Sequence, residues 1–311
     1  MSQNVIEHLR ELSVNQLFKT NSFSSCWNTW KPVINSVSMS RTPRQILDIG
    51  DHLSEIFATT KTSERSQSAV SGGGATWESL VCWYLNLCLI GRRTIVIKHN
   101  KQLVPTPVSD AITVNYNNFI SNTESDLIAI TFPNKVEYNM NKDDINIVDE
   151  NGIPIPTIKG RKYNSNGILN GLSHRDFSEL EIHIIQCKTN WNDNAQIPML
   201  WDMIYSARDF RSNITVGRNG YSIHDTSRFT YSFVTVPTSR MGGIKPNATC
   251  VKRVTHISGG NYWGKQTVSN VASSIKELLA RNLYTGHTVS PLTTISKEIS
   301  KLNSDYNYFK L

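Results

Sequence analysis

Nowhere in the 311 residues is there a run approaching the roughly 18 consecutive apolar side chains that a membrane span requires. The first residues, Met-Ser-Gln-Asn-Val-Ile-Glu-His, lack the apolar core of a signal peptide, so a cytoplasmic protein is expected. Cysteine is sparse: Cys26, Cys82, Cys88, Cys187 and Cys250 are odd in number and share no short paired spacing, which excludes a disulfide framework and a zinc ribbon. The triplet Gly72-Gly73-Gly74 follows no strand and is not completed by Gly-Lys-Ser/Thr, so there is no phosphate loop. Internal repeats and heptads are lacking too. What remains, with 39% hydrophobic and 18% charged residues, is the composition of a globular protein able to build a proper core.

Acidic residues are scarce in one half only. Residues 1–150 carry 13 Lys and Arg against 15 Asp and Glu, whereas residues 151–311 carry 19 against 10, so almost all of the +7 net charge lies in the second half. Between positions 208 and 265 stand nine basic residues and two acids, interleaved with Asn213, Asn219, Tyr221, Tyr231, Tyr262 and Trp263. That pattern suits a surface that tracks phosphates, or else a solvated basic face.

Apolar spacing predicts helices over 4–12, 43–57 and from a Thr76 cap through Leu89, with a polar piece holding Trp27 and Trp30 and a loop over 59–74. Strands are expected at 94–98, 125–132, 181–188, 229–236 and 249–257. A turn-rich insert over 139–178 should contain one hairpin. Asp193 can cap a helix through Ala207 whose inward side is Ile197, Leu200, Trp201, Ile204 and Tyr205, and a final helix is expected over 268–283. The order predicts an α/β fold, a central mixed β-sheet flanked by helices on both faces. The whole chain reads as a single domain with a helical N-terminal part (1–70), a core (about 76–237) and C-terminal strands and helix (238–311).

The stretch Glu-Ile-His-Ile-Ile-Gln-Cys-Lys from Glu181 to Lys188 stands out. Its β-branched run suits a buried strand, and it ends abruptly in Gln186, Cys187 and Lys188. Gln186 and Lys188 share one face of such a strand and Cys187 takes the other. Lys188 either snorkels to solvent or meets a charged partner. Asp126, opening the strand Ser-Asp-Leu-Ile-Ala-Ile-Thr-Phe, is a turn-former or a metal ligand. Glu78, the one acid of its helix, complements the helix dipole or serves a site.

An acid at a strand start and Gln186-x-Lys188 at the end of a second strand, followed by a helix, together resemble the PD-(D/E)XK nuclease superfamily, in the manner of a type II restriction endonuclease. The Gln departs from the Asp or Glu that most members carry; a Gln-x-Lys form is associated with Mrr-like nucleases. The resemblance implies Mg²⁺-dependent hydrolysis of phosphodiester bonds in double-stranded DNA. Asp126 would be the principal metal ligand, helped by the side-chain oxygen of Gln186 and the main-chain carbonyl of Cys187. Glu78 would be an additional carboxylate, made more necessary by the charge missing at Gln186. Lys188 would orient the attacking water and stabilise charge developing on the phosphate. Base and backbone contacts would come from Lys159, Arg161 and Lys162 in the insert and from Arg208, Arg211, Arg218 and Asn219 downstream. A palindromic site would imply a homodimer, and a cognate DNA methyltransferase of the same restriction-modification system is a candidate partner. The alternatives are a structure-selective or modification-dependent nuclease of the same superfamily, and a non-catalytic nucleic-acid-binding protein in which Lys188 is structural.

Overall fold

The computed structural model describes residues 3–61, 73–98, 102–117, 119–121, 125–189, 194–208, 213–236, 244–284 and 287–311. The chain begins with α1 (Val5–Phe18), α2 (Asn21–Val37) and α3 (Pro43–Ala58), and α4 (Gly73–Cys88) leads into β1 (Thr94–Lys98). Next come α5 (Thr106–Ala111), β2 (Val114–Tyr116), β3 (Phe119–Ser121) and β4 (Leu127–Thr131), then a hairpin of β5 (Ile158–Lys159) and β6 (Lys162–Tyr163) and α6 (Ser165–Arg175). The central strand β7 (Glu181–Lys188) is followed by α7 (Gln196–Ser206), β8 (Ile214–Val216) and β9 (Arg228–Thr235). The chain closes with α8 (Thr249–Val254), β10 (Asn261–Trp263), β11 (Ser273–Ser274), α9 (Ile275–Arg281) and α10 (Pro291–Glu298).

Six strands make one mixed sheet in the order β1-β4-β7-β9-β10-β11. β4 runs antiparallel to both of its neighbours, β1 and β7, whereas β9 runs parallel to β7 and β10 parallel to β9. Helices cover both faces, as the order of elements predicts. β7 is buried along its whole length except at Lys188, so that Glu181, His183 and Gln186 are buried along with Ile182, Ile184, Ile185 and Cys187. On one face Val96, Leu127, Ala129, Ile185, Cys187 and Val234 pack under α2, α3, α4 and α9. On the other, Ile97, Ile128, Ile184 and Phe233 join Ile168, Leu172, Tyr205 and Val251. Burying large aliphatic or aromatic side chains of this kind is worth about 1.5–3 kcal/mol each.

One contact sets the position of everything at the end of β1. Asn86 on α4 is fully buried; its amide nitrogen donates to Val96 O at 2.6 Å and its Oδ1 accepts from Val96 N at 3.1 Å. Ser79, Cys82 and Asn86, spaced three and four apart, form the stripe of α4 that lies along β1. Cys82 Sγ donates to Val96 O at 3.5 Å, and Ser79 meets Lys98. The helix therefore runs antiparallel to β1, and its first turns lie beside the last residue of that strand.

Several expectations are corrected. The polar piece after residue 12 is the end of α1 and all of α2: Phe23, Cys26, Trp27, Trp30 and Ile34 recur on one helical face and are buried, which outweighs the weak helix propensity of its Ser, Thr and Asn. Thr76 does not cap α4 but is buried within it, since the helix starts at Gly73. The insert contains helix α6 besides its hairpin. Residues 249–257 are not a strand. α8 occupies 249–254, where Val251 and Val254 fall three apart and bury one helical side despite their β-branching, and Ile257 is buried beyond its end. The final helix starts only at Ile275; before it, a Val268–Ala272 bridge and β11 use the left-handed Asn270 (φ 60°) to turn. Leu200 is 51% exposed rather than inward, and Asp193 lies outside the described residues. Among the described residues no helix is long and apolar enough to cross a membrane.

Candidate active site at the sheet rim

The ladders align Lys98 with Leu127, Leu127 with Ile185, and Lys188 with Thr235. The end of β1, the start of β4 and the ends of β7 and β9 therefore form one rim. Asp126 stands one residue before β4, next to the end of β7. Its Oδ2 accepts the main-chain N–H of Cys187 at 2.8 Å and lies 3.8 Å from Lys188 Nζ. The two side chains are 15% and 23% exposed, so the pair is neither locked inside nor fully solvated. Residues 60 positions apart in sequence, Asp126 and Gln186, are thus brought to adjacent strands, with Gln186 fully buried.

Strand alternation puts Gln186 and Lys188 on one face and Cys187 on the other, in the core under α4. Lys98 shares the α4 face with Val96. Glu78, in the second turn of α4, meets Lys98 rather than Asp126: Glu78 Oε2 is 3.2 Å from Lys98 Nζ. Both acids act on the Cys187 thiol. Burial raises its pKa well above the ordinary thiol value, and the charges of Asp126 and Glu78 raise it further while Lys188 opposes them. That thiol is an inert, protonated core group rather than a nucleophile.

The donor chemistry can be compared with the Mg²⁺ that the sequence leads one to expect. Among the described residues no group of three or more His, Cys, Asp or Glu side chains is arranged to hold a metal. Mg²⁺ commonly relies on one or two carboxylates, waters and substrate phosphates, so the Asp126 carboxylate and Gln186 amide at one rim, with Glu78 close by, are a fitting set for a weakly held ion.

Sequence reasoning overlooked Lys98, although a signal was present: β1, like β7, is an apolar strand that ends in lysine. The proposed DNA contacts are scattered. Lys159, Arg161 and Lys162 lie exposed on the β5–β6 hairpin, whose Tyr163 packs edge-on against His8 at 5.1 Å. Glu7, next to His8, accepts from Gly91 N at 2.9 Å, so the hairpin is anchored near the start of β1 and not at its Lys98 end. Arg208 is exposed after α7, and Arg211 lies outside the described residues. Arg218 and Asn219 both bind the nearly buried Asp110, at 2.7 and 2.9 Å, which gives them a structural task. A cleft of about 790 Å³ lies away from the rim between α5, α6 and the 219–221 turn; Asp110, Asp149 and Glu150 line it, the wrong charge for a DNA phosphate.

No protein-family model matches the chain, and no curated protein matches it in sequence.

Proposed function

We propose that this protein is a Mg²⁺-dependent endodeoxyribonuclease of the PD-(D/E)XK type, acting on double-stranded DNA as a type II restriction enzyme does. One observation carries the reading: Asp126 Oδ2 and Lys188 Nζ, from distant parts of the chain, meet at 3.8 Å on a sheet rim, next to Gln186. A surface ion pair could arise there for no chemical purpose, but this one is formed at the ends of two buried strands, where charge is costly unless it serves something.

Asp126 and Gln186 would hold the ion, which when bound polarises the phosphate and lowers the pKa of its water. Lys188 orients the attacking water through its N–H donors and places its positive charge against the phosphate oxygens as they gain charge. Asp126 is itself aimed by the Cys187 N–H, which fixes Oδ2 at 2.8 Å. The basic second half supplies the attraction for the duplex, and two copies acting on a palindrome would cut both strands. A cytoplasmic location beside a cognate methyltransferase completes the proposal.

Incubation of the purified protein with plasmid in Mg²⁺, and in EDTA as control, tests it. Discrete fragments in Mg²⁺ alone are expected. Asp126→Ala and Lys188→Ala should each lower the cutting rate by about 10²–10⁴-fold while binding DNA normally in Ca²⁺. If wild-type protein cuts neither unmodified nor methylated DNA, the chain is a binding protein in which Lys188 is structural. Cleavage confined to branched or methylated DNA would select the structure-selective or modification-dependent alternative.

A further inference from the structure

We infer that Lys98 is a built-in counter-cation for Glu78, competing with the divalent ion for that carboxylate and yielding it when DNA arrives. The inference rests on the nuclease reading and adds a residue and a mode of control to it. Three oxygens at the start of α4 hold the Lys98 ammonium: it donates to Ala75 O at 2.6 Å and Ser79 Oγ at 3.0 Å and is ion-paired with Glu78 Oε2 at 3.2 Å. A carbonyl, a hydroxyl and a carboxylate are the hard oxygen donors that a divalent cation also takes, so the ammonium fills a place of that chemistry.

Its location is unfavourable for a cation in other respects. The first turns of a helix present the positive end of the dipole and attract anions, so Lys98 is held there by these three oxygens against the helix field. The strand beneath it cannot follow a moving side chain, because Asn86 clamps Val96 on both its main-chain groups. Only the side chain can leave, and at 28% exposure it has a path to solvent. Glu78, 19% exposed, meets Lys98 at the rim where Lys98 aligns with Leu127, the residue after Asp126. A phosphodiester at this rim is an anion able to draw the ammonium off. Glu78 then passes from ammonium to metal, and the ion is held best when DNA is in place.

Mn²⁺ binding to the DNA-free protein, measured by calorimetry, tests this without reference to cleavage. Lys98→Met should bind Mn²⁺ on the order of tenfold more tightly than wild type, because the competing charge is gone. Lys98→Arg, which keeps the charge, should bind as wild type does, and Ser79→Ala, which removes one anchor, should fall between. In a Glu78→Gln background Lys98→Met should change nothing. Unchanged or weaker Mn²⁺ binding by a Lys98→Met protein of normal melting temperature overturns the inference, as does the same tightening in the Glu78→Gln background. Should Lys98→Met fail to fold, Ser79→Ala decides: binding equal to wild type overturns it. Mn²⁺ binding that is lost in Asp126→Ala but blind to Lys98 and Ser79 sinks this inference alone. Absence of Mn²⁺ binding in every protein, together with absence of cleavage, sinks the nuclease reading as well.

Discussion

The two rims of the central sheet hold charge in opposite ways. At the rim where β1 begins, Arg10 is fully buried and donates to Glu7 at 2.9 and 3.2 Å, to Asn86 at 3.3 Å and to Arg92 O at 2.8 Å. At the same rim, beyond the end of β4 and before β7, Asp176 accepts from Lys135 at 2.7 Å, from Arg175 at 2.6 and 2.9 Å and from Tyr138 at 2.9 Å. Burial works against that carboxylate's charge, yet Arg175, Lys135 and Tyr138 hold its pKa below the usual value. At the other rim Asp126 and Lys188 approach only to 3.8 Å, and Glu78 meets one lysine. A charge saturated with short, buried partners is committed to the fold. A charge whose ion pair is longer and partly exposed is held less tightly by the fold and is the better placed to meet a ligand.

The sharpest way to test that difference is to delete one charge at each rim. Arg10→Met should cost about 3–5 kcal/mol in urea unfolding, because it leaves Glu7 buried without its counter-cation and the Arg92 carbonyl without the Arg10 donor. Lys188→Ala should cost less than about 1 kcal/mol, as partly exposed pairs do. Equal losses would break the distinction.

Arg218 extends the test into the basic segment. Its pairing with Asp110 is short and reaches a side chain only 3% exposed, so Arg218→Met should lower stability by about 1–3 kcal/mol in the same assay. A variant of normal stability that binds DNA more weakly would return Arg218 to the DNA surface.

A smaller effect concerns protons near the crowded rim. Burial, then Arg92, Arg93 and Arg10, push the His287 pKa down to about 3. The folded protein therefore holds this ring neutral while the unfolded chain protonates it below about pH 6.5. Stability should fall as pH drops from about 6.5 toward 3, by at most about 1.4 kcal/mol per pH unit for this one group. His287→Gln should flatten that part of the profile in urea titrations at pH 7 and pH 5, and an unchanged slope would assign the acid sensitivity elsewhere.

How far the sequence discloses this arrangement depends on the period of the signal. β1 and β7 were legible to the residue, since β-branched runs ending in lysine have few other uses, and α3 and the core of α4 were legible from helical spacing. Failures came where composition and spacing disagreed. Residues 21–37 look like a loop by content and are a helix by the positions of their aromatics; residues 249–254 look like a strand by β-branching and are a helix by their spacing of three. Of the site, the nearness of Asp126 to Lys188 was inferable only from a family resemblance, because no local rule predicts which strand will lie beside β7. The partner of Glu78 was out of reach for the same reason. So was the occupation of Arg218 and Asn219, whose acid lies more than a hundred positions away.

Asn86 has a consequence for assembly. β1 is the outermost strand of the sheet on its side, and an outermost strand offers unpaired main-chain groups to any passing chain. The amide of Asn86 fills the Val96 positions as a strand would, and on the opposite margin β11 is only two residues long. With the middle of β1 already hydrogen-bonded and β11 so short, continuation of the six-stranded sheet by a second copy is disfavoured. Dimers of this protein should pair through helices, loops or the small β3-β2-β8 sheet.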